Sequence, residues 1–267
     1  MKRRLIVSQR GLLKFAQKIW LGIGLLILSG CGGGGGGGPV GPAGDGTIDR
    51  IHLEAPLVSG SPTLDFGNLL PGDLIQLRAV GIHHPSAGGS EIVTVAVTSW
   101  RTNAPSSVAT VTPAGLMSVN GGSAGQAYTV QCNYAGTTLT QSFLVKTAGA
   151  VIAGRVRNTT GNGSVYTLVK FYDASGTLLA QAFTGLDGTF RVVVPATATN
   201  FTVDTSASFG IYYGVFAFGT PTYNGNQQGC KAQLPALTST SSIVLPHDIV
   251  VFDNPGSGPP EPPSGCF

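Results

Sequence analysis

Charge is scarce in this chain: only 10% of its 267 residues are Asp, Glu, Lys or Arg, and the scarcity is uneven. Lys2, Arg3, Arg4, Arg10, Lys14 and Lys18 are six of the 15 basic residues, and no acid precedes Asp45. Beyond residue 30 nine bases face 12 acids, a net of −3, so the formal +3 of the whole chain belongs to its first segment. No basic patch is left to suggest a nucleic-acid partner. Histidine is nearly as rare, with His52, His83, His84 and His247 sharing no motif. The four cysteines, Cys31, Cys132, Cys230 and Cys266, form no Cys-x-x-Cys pair and no Cys/His cluster at zinc spacing, so neither a metal nor a cofactor is expected. Gly-x-Ser-x-Gly, His-Glu-x-x-His and a phosphate-binding glycine loop opening a helix are all absent, which removes the common hydrolase and nucleotide-dependent classes. His247-Asp248 is the one tempting dyad; on a strand such neighbours would face opposite ways. No enzyme is expected.

Long hydrophobic runs are missing too. Ile19–Leu28 is about half of the ~20 apolar residues a spanning helix needs. Behind a basic, acid-free segment it reads as the core of an export signal. Leu28-Ser29-Gly30-Cys31 follows and resembles the lipobox of bacterial lipoprotein signal peptides. The resemblance implies cleavage before Cys31, acylation of that cysteine, and membrane lipid as a partner. With Gly32 rather than Asp after the cysteine, it also implies a cell-envelope location, the outer membrane being favoured where the host has one. Residues 1–30 are thus expected as a signal peptide. Residues 31–46, with Gly32–Gly38 at their centre, are expected as a flexible tether.

Glycine is the abundant residue, 40 in all, with Ser, Thr, Val and Ala. Runs of Val, Thr, Tyr and Phe broken by Gly, Pro and Asn give short strands and turns, and nothing after Leu28 repeats at helical spacing. The expected class is all-β: two β-sandwiches in tandem, each near the ~100 residues typical of such modules. The first covers residues 47–147, with strands near Thr47–Leu53, Asp73–Val80, Ile92–Trp100, Val108–Thr112, Leu116–Val119, Gln126–Tyr134 and Leu139–Lys146. Val97-Thr98-Ser99-Trp100-Arg101-Thr102-Asn103, Val108-Ala109-Thr110-Val111 and Gly115-Leu116-Met117-Ser118-Val119 resemble the group 2 bacterial immunoglobulin-like domains, with Arg101-Thr102 where serines are usual. That resemblance implies a spacer or adhesion module with Trp100 plugging its core. Alternation in Tyr128–Tyr134 makes Cys132 a core thiol. His83-His84, with Glu91 nearby, is expected in a solvated Gly/Pro loop.

The second module is expected over residues 148–253, before an irregular Pro/Gly-rich tail, 254–267. Asp173-Ala174-Ser175-Gly176 and Asp187-Gly188 read as hairpin turns. Ile152/Gly154/Val156, Asp173/Gly176 and Thr184/Asp187/Gly188/Phe190/Pro195 resemble carboxypeptidase regulatory-like domains, prealbumin-like sandwiches that carry no zinc site. Cys230 and Cys266, in loop-like and terminal segments, could pair as a disulfide. Phe209, Tyr212, Tyr213, Phe216, Phe218 and Tyr223 crowd one Gly-rich stretch, and a row of exposed rings there would suit stacking on sugars. Two functions are therefore expected. One is a non-catalytic, membrane-anchored surface scaffold, spacer or adhesion module. The alternative is a carbohydrate- or peptidoglycan-binding lipoprotein using Tyr212, Tyr213 and Tyr223, with a cell-surface glycan or protein as partner.

Overall fold

The structure, a computed structural model, describes residues 46–226 and 230–254, all within one compact unit. Cys31, the glycine tether and Cys266 lie outside the described residues. Among those described the fold is all-β, the one helical element being a 3-10 turn at Phe66–Asn68. Ten strands come from the first half: β1 (Thr47–Pro56), β2 (Thr63–Leu64), β3 (Leu74–Gln76), β4 (Arg78–His84), β5 (Glu91–Val95), β6 (Thr98–Thr102), β7 (Ala109–Val111), β8 (Leu116–Val119), β9 (Tyr128–Tyr134) and β10 (Thr137–Phe143). Ten more follow: β11 (Ala150–Arg157), β12 (Leu168–Tyr172), β13 (Leu178–Phe183), β14 (Thr189–Val194), β15 (Asn200–Asp204), β16 (Tyr212–Phe218), β17 (Thr222–Asn224), β18 (Ala232–Gln233), β19 (Ser242–Val244) and β20 (Ile249–Asp253).

Alternation along the strands builds two separate cores. In β9, Val130 and Cys132 are fully buried and their neighbours are not, the period-2 signature of a strand with one face inward. The first core joins such residues with Leu53, Leu69, Ile75, Met117, Trp100 and Phe143. The second is richer in rings: Phe171, Phe190, Phe201 and Phe216 are fully buried or nearly so. Their centroids are spaced 6.0–6.2 Å apart in a tilted series, a favourable aromatic separation.

One sheet runs through both cores in the order β17-β16-β20-β11-β14-β2-β1-β4-β5, with β19 paired to β11. Sheets β10-β9-β6 and β3-β8-β7 complete the first sandwich, and β13-β12-β15-β18 completes the second. Two expectations need correction. The Asp187-Gly188 turn does not close a hairpin, because β13 pairs with β12 whereas β14 pairs with β11. The Asp187 carboxylate accepts from the Thr189 amide and hydroxyl, and the Thr184 hydroxyl donates to the Ser164 carbonyl, making a corner at which the chain changes sheet. His83 and His84 belong to β4 rather than a solvated loop, and His83 is buried.

Candidate functional site: the seam between the sandwiches

The tyrosines singled out by the sequence do not lie in an exposed row. Tyr212 and Tyr223 pack against the second core, and the Tyr223 ring stacks on Phe216 at 5.2 Å. Burial pushes the Tyr212 phenol above its ordinary pKa, with Asp253 adding to the rise and a hydrogen bond to Ser164 opposing it. Tyr213 is half-buried. The stretch holds rings because this sheet needs core residues. Cys132 is a buried free thiol, pushed by burial to about 11. Cys230 is buried and disulfide-bonded. His247 and Asp248 fall in a turn between β19 and β20, where Asp248 takes a 2.9 Å bond from Arg157. Of the remaining histidines, His83 sits 3.0 Å from Glu91, and His84 sits 3.2 Å from Asp49. No group of three or more potential metal ligands occurs among the described residues.

Polar chemistry gathers instead where the sandwiches meet. Short β2 holds the joint, with Leu64 paired antiparallel to Ala55 of β1 and parallel to Arg191 of β14. The Thr63 amide donates to the Thr189 hydroxyl at 3.0 Å, and the Asp65 amide to the Arg191 carbonyl at 3.3 Å. The Arg191 guanidinium then reaches Asp73 in the first sandwich through two parallel bonds, 2.8 and 2.5 Å, with both side chains nearly buried. Such a fork fixes geometry as well as charge.

A bulge in β1 supplies the second set of contacts. Register is lost between Asp49 and His52, and Arg50 takes φ +48°, outside the usual range for a side-chain-bearing residue. Gly81 lies opposite, where a Cβ would crowd Ile48 and Ile51. The bulge aims Arg50 at the second sandwich. Its guanidinium donates to the Ala207 and Ser208 carbonyls at 2.6 and 3.0 Å and lies 4.7 Å over the Phe209 ring. His52 packs 4.2 Å from the Tyr166 ring, and Tyr166 stacks on Phe183 at 4.3 Å with planes 9° apart. Glu54, buried behind His52, accepts from Arg78 at 2.7 Å and sits 3.1 Å from His52 Nε2.

Asp65 closes the seam from the other side. Its carboxylate accepts from the Gly67 amide, the Asn68 side chain and the Phe183 amide, while Asn68 Nδ2 also reaches the Gln181 carbonyl at 3.4 Å. Edge groups of β13 are thereby covered by two side chains of the first sandwich, one means of guarding an open strand. Burial pushes the Asp65 carboxyl above the usual carboxylate pKa despite these donors.

Between these contacts lies a cleft of about 330 Å³, lined from one side by His52, Thr63, Asp65 and Gln141 and from the other by Tyr166, Gln181 and Phe183. Sequence reading missed it because its walls come from six separate segments. Among its lining residues Tyr166 is distinguished by its backbone, with φ +56°.

No known family model matches the chain, and no curated protein does. Among solved structures it is similar to the T6 backbone pilin of Streptococcus pyogenes, described as modular and three-domain, at 9% identity and TM-score 0.26, covering 78% of this chain and 70% of that one. It is also similar to the Bacillus anthracis TIE protein (8%, TM-score 0.25, 76% and 51% covered) and to a major pilin subunit of Bacillus cereus (6%, TM-score 0.23, 75% and 71% covered). Likenesses this loose carry no argument about function.

Proposed function

We propose that the chain is a non-catalytic, lipid-anchored surface protein in which two β-sandwiches form one stiff strut, holding a surface away from the membrane to which Cys31 is attached. The observation that supports this reading is the seam. Two modules joined as beads on a string need only a linker, and relative motion is then the default. Here a shared sheet, a two-bond Arg191–Asp73 ion pair and the Arg50 clamp tie the first sandwich to the second. A strut needs that stiffness, whereas an independent pair of binding domains does not. Domain limits of 47–147 and 148–253, and a tail held by a Cys230–Cys266 disulfide, belong to the same proposal.

Anchoring and stiffness are tested together. Replacing Cys31 with Ser should move the protein from the membrane to the soluble fraction and abolish fatty-acid labelling; persistent labelling would refute the anchor. Small-angle scattering of the released protein should give a single rigid envelope, and breaking the seam with Arg191→Met should broaden it. An unchanged, already flexible profile in the parent protein would refute the strut.

A further inference from the structure

The seam cleft has features that holding two sandwiches together does not require. Tyr166 keeps an aromatic side chain in the left-handed region, a conformation that persists only where the surroundings impose it and that is enriched at ligand sites. Thr63, 3% exposed, lines the cleft with its hydroxyl unpartnered, and the buried Nδ1 of His52 is unpartnered too. An unpartnered buried polar group is costly enough to need an explanation. The volume, about 330 Å³, falls at the lower end of small-molecule sites.

The lining also restricts the ligand. It contains no Lys or Arg, so a phosphate or carboxylate would meet His52 as its one basic side chain. Its two acids offer little to a cation, since Glu54 is already matched by Arg78 and Asp65 is filled by three donors. What remains is neutral. Gln181, exposed, and Gln141, half-buried, each present a donor and an acceptor, and Ser142 and Thr63 add hydroxyls. Half-buried Phe183 supplies apolar surface beside them, with Phe66 and Phe143 buried in the wall.

The geometry points to the seam cleft as a binding site for one neutral, hydroxyl-rich ring: a sugar residue whose hydroxyls meet the glutamine amides while its CH face lies on the phenylalanine side. Because its walls come from both sandwiches, the ligand would bind only the joined pair. This inference is separate from the strut reading, which stands or falls on scattering and fractionation.

The test is a glycan array probed with the purified full chain, followed by calorimetry on the best glycan. Gln181→Ala and Gln141→Ala should each weaken binding roughly three- to tenfold, the range of one lost hydrogen bond, and Gln181→Ala, at an exposed position, should leave the melting temperature unchanged. Tyr213→Ala, outside the cleft, should leave affinity unaltered. Thr63→Val should raise the melting temperature of the free protein and weaken the glycan further. Absence of any bound neutral glycan at millimolar concentration would overturn the inference. So would a bound glycan sensitive to Tyr213→Ala and indifferent to both glutamines.

Discussion

The two sandwiches solve the same packing problem with different materials. The first fills its core mainly with aliphatic side chains around one tryptophan, and its second layer is divided between β10-β9-β6 and β3-β8-β7. The second has a row of phenylalanines beneath one continuous four-stranded layer. Their acids differ as well. In the first, Glu54, Asp65 and Asp73 turn inward or toward the seam. In the second, Asp173 and Asp204 stay on turns and rims with local partners. Each sandwich therefore completes polar groups of the other, the first committing carboxyls to the seam and the second a guanidinium and backbone groups. Separated, the first would leave Asp73 without Arg191 and Asp65 without the Phe183 amide.

The largest effect that breaks this asymmetry is a core deletion. Phe201→Ala removes the ring between Phe171 and Phe216 and should cost about 3–5 kcal/mol. Trp100, the only tryptophan among the described residues, reports on the first sandwich. Its fluorescence should melt at the same lowered temperature as the circular dichroism signal; two separate transitions would mean that the seam does not couple the modules. Next comes Arg191→Met, which strands a nearly buried Asp73 and should cost about 3 kcal/mol. Asp73→Asn added to it should recover most of that loss, because the unmatched charge is gone. Gly185→Ala is the smaller wedge. Its new Cβ would collide with Thr63, and overpacking of this kind costs about 1–3 kcal/mol. Chemical unfolding of each variant ranks the three.

Much of the fold was legible because it rests on local pattern. Leu116–Val119 is strand β8 as read, and the Asp173–Gly176 turn joins paired strands as read, since turn chemistry and alternation act over a few residues. The Asp187-Gly188 corner was misread because turn residues fix a chain reversal but not the sheet each flanking strand enters. His83 was misread for a related reason. Gly and Pro around it suggested a loop, yet Ile82 and Ile92 pair across the hairpin and draw it into β4. The seam could not be read at all. Arg191 and Asp73 are 118 residues apart, and a β-bulge that re-aims Arg50 leaves no mark in composition. Aromatic crowding at 209–223 was visible, but a crowd of rings has the same sequence whether it faces solvent or core.

The smallest expected effect sharpens the comparison through pH, because the two sandwiches hold carboxyls shifted in opposite directions. In the second, burial alone would raise the Asp204 carboxyl, but Lys170 at 2.7 Å and the Ser206 donors outweigh it and hold the group at about 2. A depressed folded-state pKa contributes stability above the unfolded value, ~3.9. That contribution fades as pH falls from there toward 2. Asp204 is partly open to solvent, so screening reduces it to about 1 kcal/mol at neutral pH. In the first sandwich Asp65 is raised by burial, so the folded protein binds its proton more readily than the unfolded chain. Its sign is opposite. Stability assigned to Asp65 is greatest below the unfolded value and declines as pH rises through the folded one. Two difference curves read these signs directly. Measured against Asp204→Asn, the parent protein should lose its advantage on going from pH 6 to pH 3. Measured against Asp65→Asn, it should gain over the same interval, and parallel curves for the two variants would show that the seam carboxyl titrates like one on the rim.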